Sequence, residues 1–364
     1  MSLFYELIQV AVGQRESVSR VPCADEWLAL FKMAQKQALL GICFAALERL
    51  PYDVTANVPL KVKLKWFAIT EQIKKRNQIV SQRACELQQK LEADGFRICI
   101  LKGQGVALLY HDLGNLRQSG DIDVWVDGNR DNTIQLLRKR YKCGRAVVHH
   151  IDVELFDDVS VEVHFLPSYA YSIPRFSVYR RFFEASKDEC FSHSGSGFSV
   201  PTVRFNLVYI LMHIYRHLFH EGIGLRQLMD YYFVLRSALE EKYLDNGSNA
   251  SHEWAMDWLK RMGLERFVGA VMYVEREVFG LHDKYLLCKP DAKAGRFLLA
   301  EILRAGNFGQ YDSRIIDAHS GNDVTIYLKS LSRLFTMIRF YPSEVLWAPL
   351  WKAGHFLWRK VKGY

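Results

Sequence analysis

Residues 121–126, Asp-Ile-Asp-Val-Trp-Val, place two carboxylates one residue apart in a run that is otherwise apolar. A strand repeats every two residues, so Asp121 and Asp123 leave one face while Ile122 and Val124 leave the other. Like charges held that close repel. The pattern is stable only if something positive sits between the two acids, if one is protonated, or if both lie at a solvated strand end. A divalent cation is the economical answer.

A third acid strengthens that reading. Glu162 stands between Val161 and Val163 in the run Val159–Leu166, and His164 shares its face. If this strand neighbours the one carrying Asp121, three carboxylates converge, and oxygen donors suit Mg²⁺ or Mn²⁺ better than zinc, which prefers His and Cys. Glu154, in Asp-Val-Glu-Leu-Phe, is the competing strand acid.

The surrounding sequence divides into three parts. Residues 1–92 read as helices, with apolar residues at three- and four-residue spacing from Glu26 to Leu50 and again from Val62 to the stop at Gly95. Over 93–190 the period changes to a compact α/β core. It reads as a strand at 96–103, a helix at 105–113, the Asp121 strand, a helix at 130–142, and a hairpin of 146–156 with 159–166 turning at Asp157 and Asp158. A Ser- and Gly-rich loop, 192–201, leads into a helical region over 200–364.

Composition excludes disorder: 49% of the 364 residues are hydrophobic and 24% charged. A net charge of +8 favours an anionic partner such as a nucleotide or nucleic acid. The seven cysteines are scattered singly with no CxxC pair, which points to free thiols in a reducing, cytoplasmic compartment. The first residues lack a secretory signal pattern, and no run approaches the ~20 apolar residues of a membrane span.

Four stretches together resemble a bacterial family of uncharacterised nucleotidyltransferases, within the superfamily that includes DNA polymerase beta. They are ILKGQGVALLYHDLGNLRQSGDIDVWV (100–126), VEVHF (161–165), HLFHEGIGLRQLMD (217–230) and EILRAGNFG (301–309). The resemblance implies an α+β fold, a small mixed-sheet nucleotidyltransferase core flanked by N-terminal and C-terminal helical regions. It implies that Asp121, Asp123 and Glu162 hold two Mg²⁺ or Mn²⁺ ions. These clamp the triphosphate of an NTP such as ATP and align a hydroxyl acceptor for attack on the α-phosphorus, with pyrophosphate leaving. The superfamily usually carries Gly followed by Gly or Ser after its first core strand; this chain has Lys102, Gly103 and Gln104, and a longer gap to Asp121.

Around that frame, Gly103 lets a phosphate approach backbone N–H groups at a helix start, and Lys102 supplies charge to the β- or γ-phosphate. With Gln104, Arg117 and Ser119 they form the expected nucleotide-binding set, although a turn before a strand favours polar residues such as Arg117 and Ser119 in any case. His164 is a supporting donor, an acceptor-side base or a hydrogen-bonded core histidine. His217, Arg226 and Asp230 match the family's helical motif, with an Arg226–Asp230 pair at i, i+4 anchoring the helical region or contacting substrate. His213, His217 and His220 share a helical face but lack a fourth ligand nearby. Trp351, His355, Trp358 and Lys362 form a basic aromatic stripe suited to packing on the chain's own core, or to a membrane or nucleic acid.

The sequence leaves the acceptor open among a small molecule, a protein and RNA, and does not give the oligomeric state. The alternative function is a catalytically silent nucleotide- or RNA-binding module of the same fold.

Overall fold

The computed structural model describes residues 2–191, 196–244, 250–316, 331 and 333–362, without the side chains of 241–244, 315–316 and 359–362. The expected features at 192–195 and the side chain of Lys362 therefore lie outside the described residues.

The chain begins with α1 (Leu3–Ala11), α2 (Ala24–Lys36), α3 (Leu40–Arg49) and the single turn α4 (Tyr52–Thr55). Between α2 and α3 the helical periodicity is broken at Ala38, whose φ is 55°. Then comes α5 (Leu60–Ala93), 34 residues long, opened after Pro59 and closed at Gly95 in the left-handed region. Its buried positions, Trp66, Thr70, Ile73, Asn77, Val80, Ala84, Leu87 and Leu91, follow one stripe at alternating four- and three-residue spacing. The first half of that stripe joins a helical core through Trp66 and Ile73. The second half, from Val80, packs under the sheet.

The sheet contains β1 (Ile98–Leu101), β2 (Ile122–Val126), β3 (Lys142–Ala146), β4 (His150–Glu154) and β5 (Val161–His164) in the order β1-β2-β5-β4-β3. Between β1 and β2 run the short helix α6 (Gly103–Ala107) and a tighter helical stretch over Leu108–Leu116, kinked at His111; α7 (Arg130–Arg140) follows β2. β2 runs parallel to β5, and the other neighbours are antiparallel.

The period-two expectation for β2 holds. Ile122, Val124 and Val126 enter one core with Val161 and Val163 of β5, Ile134 and Leu137 of α7, and the end of α5. Trp125 enters the other core, against Phe183, Phe191 and Phe205. Val124 and Val163 are fully buried, each worth about 1.5–3 kcal/mol relative to exposure. Asp123 lies on the Trp125 face.

That second face is covered by helices α8 (Ile173–Ser186) and α9 (Val203–His220), followed by α10 (Leu225–Leu244), α11 (Ala250–Arg261), α12 (Glu265–Phe279), α13 (Ala292–Ala305), α14 (Ser313–Ile316) and α15 (Pro342–Lys362). The helices that precede the sheet in the chain and those that follow it share one apolar core: Phe4, Leu7 and Ile8 of α1 belong to the same cluster as Val268 and Val271 of α12.

Two local expectations are corrected. The run 146–156 is not one strand: residues 147–149 turn, and β3 precedes them, pairing with β4. Strand β3, Lys-Cys-Gly-Arg-Ala, is an exposed polar edge, where charge guards the open hydrogen-bonding side and erases the alternation by which strands are recognised. The helix expected over 105–113 is divided at His111, whose φ of 50° ends one helical turn and starts the next.

The aromatic stripe of α15 packs on the protein itself. Trp351 stacks on Tyr169 at 4.7 Å, His355 on Trp351 at 4.9 Å and Trp358 on His355 at 5.5 Å, with Arg130 over Trp358. Among the described residues no helix is long and apolar enough to cross a membrane.

Candidate active site

The parallel pairing of β2 with β5 aligns Asp123 directly beside Glu162, and the antiparallel pairing of β5 with β4 puts His150 beside His164. All four side chains face α9. Asp121 sits just before β2, solvent-exposed, at the mouth of a recess of about 210 Å³ that Asp123, Glu162 and His150 also line. Glu154, the rival acid, leaves the same face of β4 as His150 but lies further along the strand, outside the recess: it pairs with Lys142 at 2.8 Å and is largely exposed. Glu162, and not Glu154, lines the recess with Asp121 and Asp123, but the ligand atoms that come within 4.8 Å of one another there are those of Asp123, Glu162 and His164, without Asp121.

Asp123 is nearly buried and carries two cationic or polar partners on one oxygen. Lys102 Nζ lies 2.8 Å from Oδ1 and His164 Nε2 also 2.8 Å from it. His164 Nε2 is 3.3 Å from Glu162 Oε2, and His150 Nδ1 is 3.4 Å from the same oxygen. Burial opposes the charge on Asp123, but the Lys102 ammonium and the His164 imidazole outweigh it and hold the carboxyl far below its usual range. Asp121 shows the repulsion expected from the sequence. The charge of Asp123, followed by partial desolvation, pushes it up to about 6.

Lys102 is held by unusual backbone, with φ 45°, at the join of β1 and α6. The following Gly103, φ 39°, lies where an added Cβ would stand 3.8 Å from the Asp121 carbonyl oxygen. Gly103, at the start of α6, lines the same recess as the carboxylates. Lys102 also lines the recess, with its ammonium paired to Asp123.

Three other expected nucleotide contacts are placed differently. Gln104 turns to α5, donating to Ser81 Oγ at 2.7 Å and to the Asn77 carbonyl at 3.3 Å, because α6 is packed against that helix. Asn77 in turn donates to the carbonyls of Asn115 and Arg117, both at 2.7 Å, and so fixes the turn before Asp121. Arg117 borders the recess, but its guanidinium is engaged bidentately by Asp230 at 2.6 and 2.8 Å, with Tyr110 donating to the same carboxylate. Ser119 Oγ is buried with no partner among the described residues and does not line the recess.

The pairing of Asp230 with Arg117 also replaces the expected Arg226–Asp230 pair. Arg226 instead donates to the Gln118 carbonyl at 2.5 Å and lies over the Phe308 ring. Helix α9 turns Ile210, His213, Ile214, Arg216 and His217 toward the recess. The His213 and His217 rings meet at 4.2 Å, and His217 Nδ1 reaches Glu221 at 3.1 Å, whereas His220 is exposed. No cluster of three metal-ligating atoms among the described residues includes His213, His217 or His220.

The clusters that do exist are Asp123 with Glu162 and His164, His150 with Asp152 and Glu162, and His149 with His150 and His164; within each, the ligand atoms lie within 4.8 Å of one another. A model of the uncharacterised nucleotidyltransferase family matches residues 24–280, which contain β1, β2, β5 and every one of these groups.

The chain belongs to the uncharacterised nucleotidyltransferase family. Among solved structures, the Thermotoga maritima CCA-adding enzyme complexed with tRNA_CCA is similar at 13% identity, over 80% of this chain and 85% of that one, with a TM-score of 0.21. No match was found among curated proteins.

The donor set of this nucleotidyltransferase fits a divalent cation. Asp121 is raised by the neighbouring charge of Asp123 despite the Lys102 ammonium between strand and helix, and hard carboxylate oxygens from β2 and β5 line one recess. His150 and Arg216, which carry no motif in the sequence, also line the recess, as does His213. The signal for His150 was its place opposite His164, which only strand pairing reveals.

Proposed function

We propose that this nucleotidyltransferase transfers an NMP from an NTP to a hydroxyl acceptor with release of pyrophosphate, using Mg²⁺ or Mn²⁺ held by Asp121, Asp123 and Glu162. The observation that carries the reading is the register that sets Asp123 beside Glu162 in the recess entered past Asp121. A bound divalent ion would neutralise the phosphoryl oxygens and lower the pKa of the attacking hydroxyl. The chain's own groups do the rest. Glu162, less enclosed than Asp123, accepts the proton of the acceptor hydroxyl. His164 donates Nε2–H to Asp123 and lies 3.3 Å from Glu162, so it orients the first carboxylate and attracts the second. Gly103 leaves the backbone at the start of α6 open to a phosphate. Residues 93–190 form the catalytic core in this reading, with the helical regions 1–92 and 200–364 enclosing it, and the compartment is the cytoplasm.

The test is pyrophosphate release from each NTP with Mg²⁺ or Mn²⁺, alongside the thermal midpoint with a non-hydrolysable NTP. Metal plus nucleotide should raise the midpoint by mass action, and Asp121→Asn with Asp123→Asn should abolish that rise. Glu162→Gln should lower transfer by about two orders of magnitude or more, while Glu154→Gln leaves it unchanged. An unaltered midpoint shift in the double variant would remove these aspartates from the metal site. Nucleotide binding without turnover under every metal and NTP would favour the silent module.

A further inference from the structure

We infer that Arg216 and Arg226, from consecutive helices α9 and α10, form an anion subsite for the β- and γ-phosphoryl groups of the NTP, the part that leaves as pyrophosphate. The inference rests on the reading that an NTP enters this recess, and it reassigns the phosphate contact from Lys102 and Arg117.

The argument begins from charge balance. Of the cations that border the recess, Lys102 is matched by Asp123 and Arg117 by Asp230. Arg216 and Arg226 have no carboxylate oxygen within 4.0 Å among the described residues. Arg226 is only 8% exposed, its Nε is buried without a partner, and its one hydrogen bond is to the Gln118 carbonyl. Arg216 directs Nη1 to His149 at 3.1 Å and Nη2 to His217 at 2.7 Å, and its Nε is likewise buried and unpartnered. Neither imidazole offers a negative charge. The Glu221 carboxylate, which lines the same recess and holds His217 Nδ1 at 3.1 Å, acts on Arg216 from beyond 4.0 Å. Against the effect of burial, Tyr169 and Glu221 raise the pKa of Arg216, so Arg226 is the poorer supplied of the two.

A buried guanidinium without a counter-ion destabilises the fold that carries it. Burial, and then the nearby Arg117, push Arg226 down to about 10, the direction of a cation short of negative charge. A planar guanidinium presents parallel donors that match phosphoryl oxygens bidentately, so a polyphosphate completes both groups.

Two glycine loops hold Arg226 in place. A Cβ on Gly224 would stand 2.9 Å from Asn307 Cα, so the 221–224 turn meets the 306–309 turn backbone to backbone. That contact holds Phe308, itself at φ 50° and ψ 33°, against His217 and under the Arg226 guanidinium. Two of the stretches that resemble the family, 217–230 and 301–309, thereby acquire a role: they aim a fixed arginine into the recess. Asp121 acts on Arg226 electrostatically, so the subsite lies in the field of the carboxylates.

Calorimetric titration with tripolyphosphate, which has no nucleoside, tests the assignment with and without Mg²⁺. Wild type should bind it in metal-free buffer; Arg226→Met and Arg216→Gln should each lose at least about tenfold in affinity, and Arg226→Lys should keep part of it. Without ligand, Arg226→Met should unfold at or above the wild-type midpoint, because it removes an unmatched buried charge. Unchanged tripolyphosphate affinity in Arg226→Met overturns the subsite, and it is the result expected if the arginines instead serve a phosphate on the acceptor. Wild type that binds Mg²⁺–NTP but no metal-free tripolyphosphate overturns the subsite and leaves the proposed function standing. Arginine-dependent tripolyphosphate binding with no metal-dependent NTP effect upholds the subsite and removes the metal reading.

Discussion

Lys102 shows how one residue changes meaning between sequence and structure. Its position after β1 and before Gly103 suggested a phosphate contact, yet its ammonium lies 2.8 Å from Asp123 inside the protein, where both side chains are nearly out of reach of water. Removing one member of such a pair leaves an unmatched buried charge, at a cost of about 3–5 kcal/mol. Lys102→Met should therefore lower the stability of the metal-free protein by that order, and Mn²⁺ should restore much of the loss by supplying positive charge to Asp123. Urea unfolding with and without Mn²⁺ reads both. A variant as stable as wild type in metal-free buffer would show that His164 alone balances Asp123. Glu162 shows the reverse case: period two already placed it with His164 on one face, and the β2–β5 register puts it beside Asp123.

At the scale of elements, the site depends on contacts between segments that are far apart in the chain. Asn77 of α5 pins the turn that leads to Asp121, and the 221–224 and 306–309 turns lock together beside the recess. Gly224→Ala inserts a methyl group 2.9 Å from Asn307 Cα, where the obstacle is backbone and not a movable side chain. Overpacking of this kind costs about 1–3 kcal/mol, and separating the turns should also shift Phe308 and Arg226. We expect a lower urea midpoint together with weaker tripolyphosphate binding. Loss of stability with full binding would mean that the turns support the fold without aiming Arg226. The missed strand β3 belongs to this scale as well: an exposed edge of Lys, Gly and Arg has no apolar alternation, and only its pairing with β4 defines it.

For the whole molecule, one buried acid governs part of the pH dependence. Glu275 of α12 is fully buried in the helical core, neither carboxyl oxygen has a partner among the described residues, and burial raises its pKa well above the usual range. The folded state therefore retains a proton that the unfolded chain releases. The stability associated with that proton is complete below the ordinary glutamate pKa of about 4.3. It declines as pH rises, by about 1.4 kcal/mol per unit until the folded-state pKa is passed. Glu275→Gln has no proton to lose, so its stability relative to wild type should increase across pH 5 to 8. Urea unfolding at each pH provides the comparison; a constant difference would mean that Glu275 ionises alike in both states. The same core unites α1 with α12, so helices from both ends of the sequence depend on this balance.

By itself the sequence determined the local features that short-range chemistry writes plainly. The acids interrupting β2 and β5, the glycine-started α6, the long stripe of α5 and the switch from helical to strand periodicity near residue 96 all follow from spacing and side-chain type. Tertiary structure decided which charges meet. Arg117 paired with Asp230, Gln104 turned to α5, Glu154 was left at a solvated edge, and among the described residues Arg216 and Arg226 have no carboxylate within ion-pair distance. The physical reason is that periodicity fixes the face from which a side chain leaves its own element. The partner it finds depends on strand register and helix packing, which join residues more than a hundred positions apart.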